Sequence, residues 1–198
     1  SVKCVSPIIF AANKRPLVMA LKSTIFKAEL SITDMDRDYY ATHQLTIAQH
    51  PSETDERMMV RIVAFALYAN ENLQFTKGLS AEDEPDLWQK NLRDEIDVWI
   101  DLGQPDEKRI RKACSRGQQA IIVSYGGGSD IWWKKTQDKL SRFDNLTVIN
   151  LATPEVEALG QAVERTMQIQ CTIQQGQLWL SIGEQSIEVN PIYWRKAH

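Results

Sequence analysis

The chain has 198 residues, 43% of them hydrophobic and 25% charged, with a formal net charge of −3. That composition is ordinary for a soluble globular protein, supplies ample material for a core, and holds no run near the roughly 18 apolar residues of a membrane helix. It excludes a global positive field that would attract nucleic acid, while a local basic groove stays compatible with it.

Residues 1–18, SVKCVSPIIFAANKRPLV, differ in character from the rest of the chain and read as an extension outside the core, with one domain expected over 19–198. STIFKAELSITD (23–34) and YYATHQLTIAQ (39–49) alternate apolar and polar residues around the turn DMDRD. They predict an antiparallel hairpin. A helix is expected over 53–71, with Ser52 as its cap after Pro51 and acids in its first turn. Glu56 falls on the face of that helix expected to pack inward, at the end where the helix dipole favours a carboxylate.

Two strands come next, 86–91 and 96–102, with a turn at 92–95. Folding them back antiparallel sets Trp88 against Trp99, Leu87 against Ile100 and Lys90 against Asp97. These are favourable cross-strand combinations. The same register sets Asp86 opposite Asp101. Opposed positions have Cβ atoms about 5 Å apart, and two ionised carboxylates there repel each other. A divalent cation reverses the sign, since Mg²⁺ binds through one or two carboxylates and keeps several waters. Hydrated strand-end aspartates are the plain alternative.

GQPDEKRIRKACSRG predicts a helix with Pro105 near its first position and Gly117 at its end. AIIVSY and NLTVINLA are continuous apolar runs suited to buried strands. Between them a glycine loop feeds a helix through GGGSDIWWKKTQDKLSRF, and TPEVEALGQAVER predicts a short helix capped by Thr153. The tail alternates through two or three strands. Helices alternating with strands in the middle and hairpins at both ends predict an α/β or α+β domain, a mixed central sheet flanked by helices. Cys4, Cys114 and Cys171 lack metal-ligand spacing and read as the reduced thiols of a cytoplasmic protein. His43, His50 and His198 likewise lack zinc spacing.

The segments MALKSTIFKAEL, HPSETDERMM, DEPDLW, WIDLGQPDEKRIRKAC and IWW, with the hydrophobic tail, resemble the YaeQ family from Met19 to about Trp194. Pro-Asp at one strand, an acid ending the next, then a helix and a buried strand resemble the wider PD-(D/E)XK, or restriction-endonuclease-like, superfamily. The resemblance implies an αβββαβ core with added β-hairpins. It implies Mg²⁺, with Mn²⁺ as a substitute, held by Asp86 and Asp101, with Glu56 assisting. The superfamily lysine stands two residues after the second acid, where this chain has Gly103. Gln104 beside it, or Lys112 on the next helix, is the candidate replacement. A positive group delivered to the acids from another element would favour catalysis, and its absence would favour binding alone. Two function classes are implied: a Mg²⁺-dependent nuclease or phosphodiesterase, and a non-catalytic nucleic-acid-binding or regulatory protein on the same fold. Nucleic acid is the candidate partner, a membrane is not, and a monomer is expected.

Three further features have two readings each. YGGGSD can present amides to a phosphate or be a permissive loop. Trp132, Trp133, Lys134 and Lys135 can stack on bases or divide between core and surface. The run KRIRKACSR can line a nucleic-acid groove or be a solvated helix face.

Overall fold

In the computed structural model, which describes residues 22–198, β1 (Thr24–Asp34) and β2 (Tyr39–Gln49) form the hairpin that alternation predicts. The leading segment 1–18 lies outside the described residues. After the hairpin comes α1 (Asp55–Tyr68), capped by the Thr54 hydroxyl, which accepts from the Arg57 backbone N–H at 3.1 Å. The expected cap at Ser52 is corrected. That hydroxyl pairs with His50 Nδ1 at 2.6 Å, so the helix starts two residues after 53.

The single central sheet of the expectation is two sheets. One has the order β10-β9-β8-β1-β2, with β8 (Thr166–Gln174), β9 (Gln177–Ile182) and β10 (Gln185–Val189) supplied by the tail. β1 and β8 pair in parallel, Lys27 beside Thr166 and Asp34 beside Ile173. The other has the order β11-β7-β6-β5-β4-β3. Its members are β3 (Leu73–Phe75), β4 (Leu87–Lys90), β5 (Ile96–Leu102), β6 (Gly117–Ser124), β7 (Leu146–Asn150) and β11 (Ile192–Arg195). The cause lies in α1. Met58 through Ala66 are all buried, so the helix is enclosed all round and needs a cover on each side.

The layers therefore run sheet, helix, sheet, helix. One apolar cluster joins Leu30, Ile47, Ile169 and Leu180 of the first sheet to α1, to Val156 and Leu159 of α4 (Thr153–Gln161), and to Leu87, Ile100, Ile121 and Ile149 of the second sheet. A second cluster lies on the far face of that second sheet. There Trp99, Ala120, Ile122 and Val148 meet Ile110 and Ala113 of α2 (Glu107–Arg116), and Trp132 and Trp133 of α3 (Ser129–Thr136) pack against it. Two more helix starts differ from expectation. Asp106 caps α2 by accepting from the Arg109 N–H at 2.8 Å, which leaves Pro105 one residue ahead of the cap, and Ala152 is the cap position of α4, with Thr153 as its first residue.

Gly117 joins α2 to β6 at a close approach. A Cβ there would stand 2.9 Å from Trp99 Cβ and 3.0 Å from the Gln119 carbonyl. Both neighbours are fixed, one by the buried indole and one by the backbone. Gly117→Ala is expected to destabilise the fold by about 1–3 kcal/mol, the range for overpacking a core. Urea unfolding measures it, and a change under about 0.5 kcal/mol, the scale of surface substitutions, would show that the helix–strand junction yields.

Candidate functional site

The register expected of β4 and β5 is present where it was derived, Leu87 beside Ile100 and Trp88 beside Trp99. Lys90 departs from it. A bulge after Gln89 sets it beside Ile96 instead of Asp97. Lys90 Nζ lies instead over the Trp88 ring, 4.1 Å from its centroid.

Asp86 immediately precedes β4, so the strand pleat does not dictate where its side chain goes. It turns toward α1. Asp86 Oδ1 accepts from Arg57 Nη2 at 2.8 Å, and Oδ2 accepts from the Leu102 backbone N–H at 2.9 Å. Asp101 sits inside β5 on the same face as Trp99 and turns toward α2. Its Oδ2 accepts from Trp99 Nε1 at 3.0 Å and Arg109 Nε at 2.9 Å, and its Oδ1 accepts from Arg109 Nη2 at 3.0 Å. The residues are 6% and 3% exposed. Burial pushes the Asp101 carboxyl up, against the lowering pull of Arg109 and Trp99, and Asp86 adds a smaller upward push. The ion pair thus offsets only part of what burying this acid costs.

Positive charge does arrive from other elements, but as arginines that engage the carboxylate oxygens directly. Every oxygen of Asp86 and Asp101 already accepts a hydrogen bond. Among the described residues no group of three or more His, Cys, Asp or Glu is disposed to hold a metal. The residues at this place do not fit Mg²⁺ shared between Asp86 and Asp101.

The other expected site residues lie apart from one another. Glu56 is half-buried against α4, where its side chain fills the space beside Gly160. Lys112 pairs with the exposed Asp83 at 2.8 Å. Gln104 Nε2 donates to the Tyr125 carbonyl at 3.0 Å and packs beside Gly126 and Gly128, pinning the glycine loop ahead of α3. Gly103, at the lysine position, has φ of 93°. That is a left-handed conformation which a lysine adopts only under strain.

What sequence reasoning missed is Glu53. Its carboxylate accepts from Arg57 Nη1 at 2.7 Å and from Arg61 Nη2 at 2.5 Å, so Glu53, Arg57, Arg61 and Asp86 form one continuous network. The four residues line a cleft of 250 Å³ together with His50, Thr76, Lys77 and Ser80. Burial works against the charged Arg57 guanidinium, yet Asp86 and Glu53 hold its pKa above the ordinary value. A signal was present. Glu53, Arg57 and Arg61 recur every four residues along one helix face, and Arg61 stands inside an otherwise apolar run. A buried arginine needs a buried acid.

The far side of the second sheet carries the charge asymmetry. Residues 106–142 hold nine Lys and Arg against four Asp and Glu, a local excess of +5 in a chain of −3. Lys108, Arg111, Lys134, Lys135, Lys139 and Arg142 are exposed there. The tryptophans of α3 are packed inward: Trp132 Nε1 donates to the Pro105 carbonyl at 2.7 Å, and Trp133 stacks on Trp194 at 5.7 Å.

Comparison with known proteins places this architecture. The sequence model of a family described as "YaeQ protein" matches residues 19–191. Two curated relatives, each named "Uncharacterized protein YaeQ", come from Salmonella typhi and Escherichia coli strain K12. Each is 45% identical over 179 residues, covering 90% of this chain and 99% of the relative. Among solved structures, the YaeQ protein of Xanthomonas axonopodis pv. citri is 49% identical with a TM-score of 0.86, over 89% of this chain and 99% of that one. The YaeQ protein of Pseudomonas syringae is 34% identical with a TM-score of 0.85, over 88% and 97%.

Proposed function

This chain belongs to the YaeQ family, and from that premise we propose that it binds nucleic acid on a nuclease-like fold without cleaving it through a metal centre. The observation that carries the reading is the double arginine pairing. Arg57 and Arg109 engage Asp86 and Asp101, the acids at which the resembled nucleases hold their metal. The basic layer formed by α2 and α3 supplies the surface. Exposed lysines and arginines there suit a phosphate backbone, whose affinity arises from charge and counterion release more than from base contacts. With the tryptophans packed inward, this surface favours backbone tracking over base stacking.

A competing reading is metal-dependent phosphodiester hydrolysis. The chain order α1-β3-β4-β5-α2-β6 favours it, because it follows the αβββαβ order of the PD-(D/E)XK superfamily. One experiment separates the two. Labelled single- and double-stranded DNA and RNA are titrated by fluorescence anisotropy at low salt, and the same oligonucleotides are incubated with Mg²⁺ or Mn²⁺. We expect binding that weakens with salt, a loss of about tenfold in Lys134→Glu/Lys135→Glu from removing backbone charges, and intact oligonucleotides throughout. Cleavage that requires the metal and disappears in Asp86→Asn would select the second reading. No binding to any of the four would overturn both.

A further inference from the structure

Among the described residues the two sheets end in four edge strands, and three of these are protected. β3 has three residues, β10 has five with Glu188 among them, and β11 has four, interrupted by a bulge and carrying Arg195. Short length, charge and bulges are the devices that keep a sheet edge from pairing with another chain. β2 has none of them. It runs for eleven residues and matches β1 without a bulge from Tyr39 to Gln49. Its sequence, YYATHQLTIAQ, holds no Lys, Arg, Asp, Glu, Pro or Gly. Burial lowers the pKa of His43, which keeps that side chain neutral. We infer that β2 is a dimerisation edge, along which two copies of this chain join as antiparallel neighbours in one ten-stranded sheet.

Two further observations select a second copy as the occupant. The first is uneven cover on the core-facing side of the strand. Leu45 and Ile47 are buried there, whereas Tyr39, Ala41 and His43 on the same face are half-buried. Their neighbours on β1, Ile32 beside Ala41 and Leu30 beside His43, are fully enclosed. The apolar side of the hairpin thus stays open along its outer edge, where an added strand would cover it. The second is self-complementarity. Paired about Gln44, two copies set Thr42 of each opposite Thr46 of the other, and Ala41 and His43 opposite Ile47 and Leu45. Each face then meets its own kind, and no charge meets a like charge. The arrangement also closes, because it uses the one long edge of each copy and leaves none for a third. Arg61 Nη2 already donates to the Ala48 carbonyl, so the new ladder is expected between residues 41 and 47. So short a seam covers little surface, and the dimer is expected to be weak and reversible.

The test involves neither nucleic acid nor metal and is independent of the proposed function. Light scattering and sedimentation follow the full chain over a concentration series. Wild type is expected to shift from one chain mass to two as concentration rises. Thr42→Lys/Thr46→Lys, on the exposed face, adds two like-charged cross-strand pairs and is expected to weaken association about tenfold, with Tm at low concentration unchanged. Thr42→Glu/Thr46→Glu is expected to behave alike, and an equal mixture of the two variants is expected to recover a mixed dimer. Hydrogen exchange of wild type locates the seam, since amides within 39–49 are expected to exchange more slowly at high concentration. A dimer that both double variants leave intact, or exchange within 39–49 that does not depend on concentration, would overturn the inference. A wild-type chain that stays single at every concentration would overturn it too, and would leave the edge to an extended segment of a different protein.

Discussion

Glu53→Ala is expected to destabilise the fold by about 3–5 kcal/mol, the cost of breaking a buried ion pair from one side. Two guanidiniums depend on this carboxylate. Arg61 is the more exposed to harm in energetic terms, because it is 4% accessible and its only acidic partner among the described residues is Glu53. The Ala48 carbonyl accepts from the same Nη2 at 3.1 Å but cannot neutralise the charge. Its Nε has no partner among the described residues. Arg57 keeps Asp86 and suffers less. Urea unfolding of the variant gives the value. A loss under about 1 kcal/mol, the range of exposed pairs, would mean that water reaches Arg61 and that the network is solvated. Glu53→Gln, which keeps the shape and one acceptor, is expected to fall between the two.

Arg109→Ala is expected to cost about 3 kcal/mol, from the same source. It leaves Asp101 buried with only the Trp99 indole as donor. It also frees the 82–84 loop, since Arg109 Nη2 donates to the Glu84 carbonyl at 2.7 Å and Nη1 to the Glu82 carbonyl. The pH dependence has a definite sign. Burial raises the Asp101 carboxyl above its unfolded value. For an acid shifted upward, its share of stability is fully present below the unfolded pKa, about 4, and is lost as pH rises through the folded one. Removing Arg109 enlarges that upward shift. The gap between variant and wild type should therefore be smallest near pH 4 and widen toward neutrality. A gap that instead closes with rising pH would mean that the ionised form is favoured in the fold. Adding Asp101→Asn to Arg109→Ala should recover part of the loss, because the two side chains act as a unit.

The strands were legible because their faces differ. In β1 and β2 every second residue meets the core, and the alternation marks the hairpin ends without help from the fold. The pairing of Trp88 with Trp99 was legible for a related reason, since a slip by one residue would have exchanged the faces. The short strand Leu73–Phe75 was not, because three residues carry no period. Nor was the division into two sheets. β1 looks the same whether it joins the middle strands or the tail, and only the all-round burial of α1 decides between them. At the site, the sequence brought Asp86 and Asp101 opposite each other along the backbone. Side-chain direction lay beyond it, because Asp86 stands one residue before the strand and is free of the pleat. Glu56 drew attention by its inward phase, and it packs inward, but against Gly160 rather than the acids. Glu53 opens the expected helix, where a first-turn acid reads as a partner of the helix dipole, although Arg61 in mid-helix implies a buried acid within reach.

The parallel pairing of β1 with β8 has a consequence for how this protein is made. Lys27 leaves the ribosome early and its neighbour Thr166 very late. Until the tail emerges, the first hairpin has a strand edge and an oily face with nothing to cover them, and α1 lacks one of its two walls. Contacts so distant along the chain form slowly, and partly assembled sheets invite association between nascent chains. Truncation anywhere before β8 should therefore yield a product that clumps instead of a smaller folded protein.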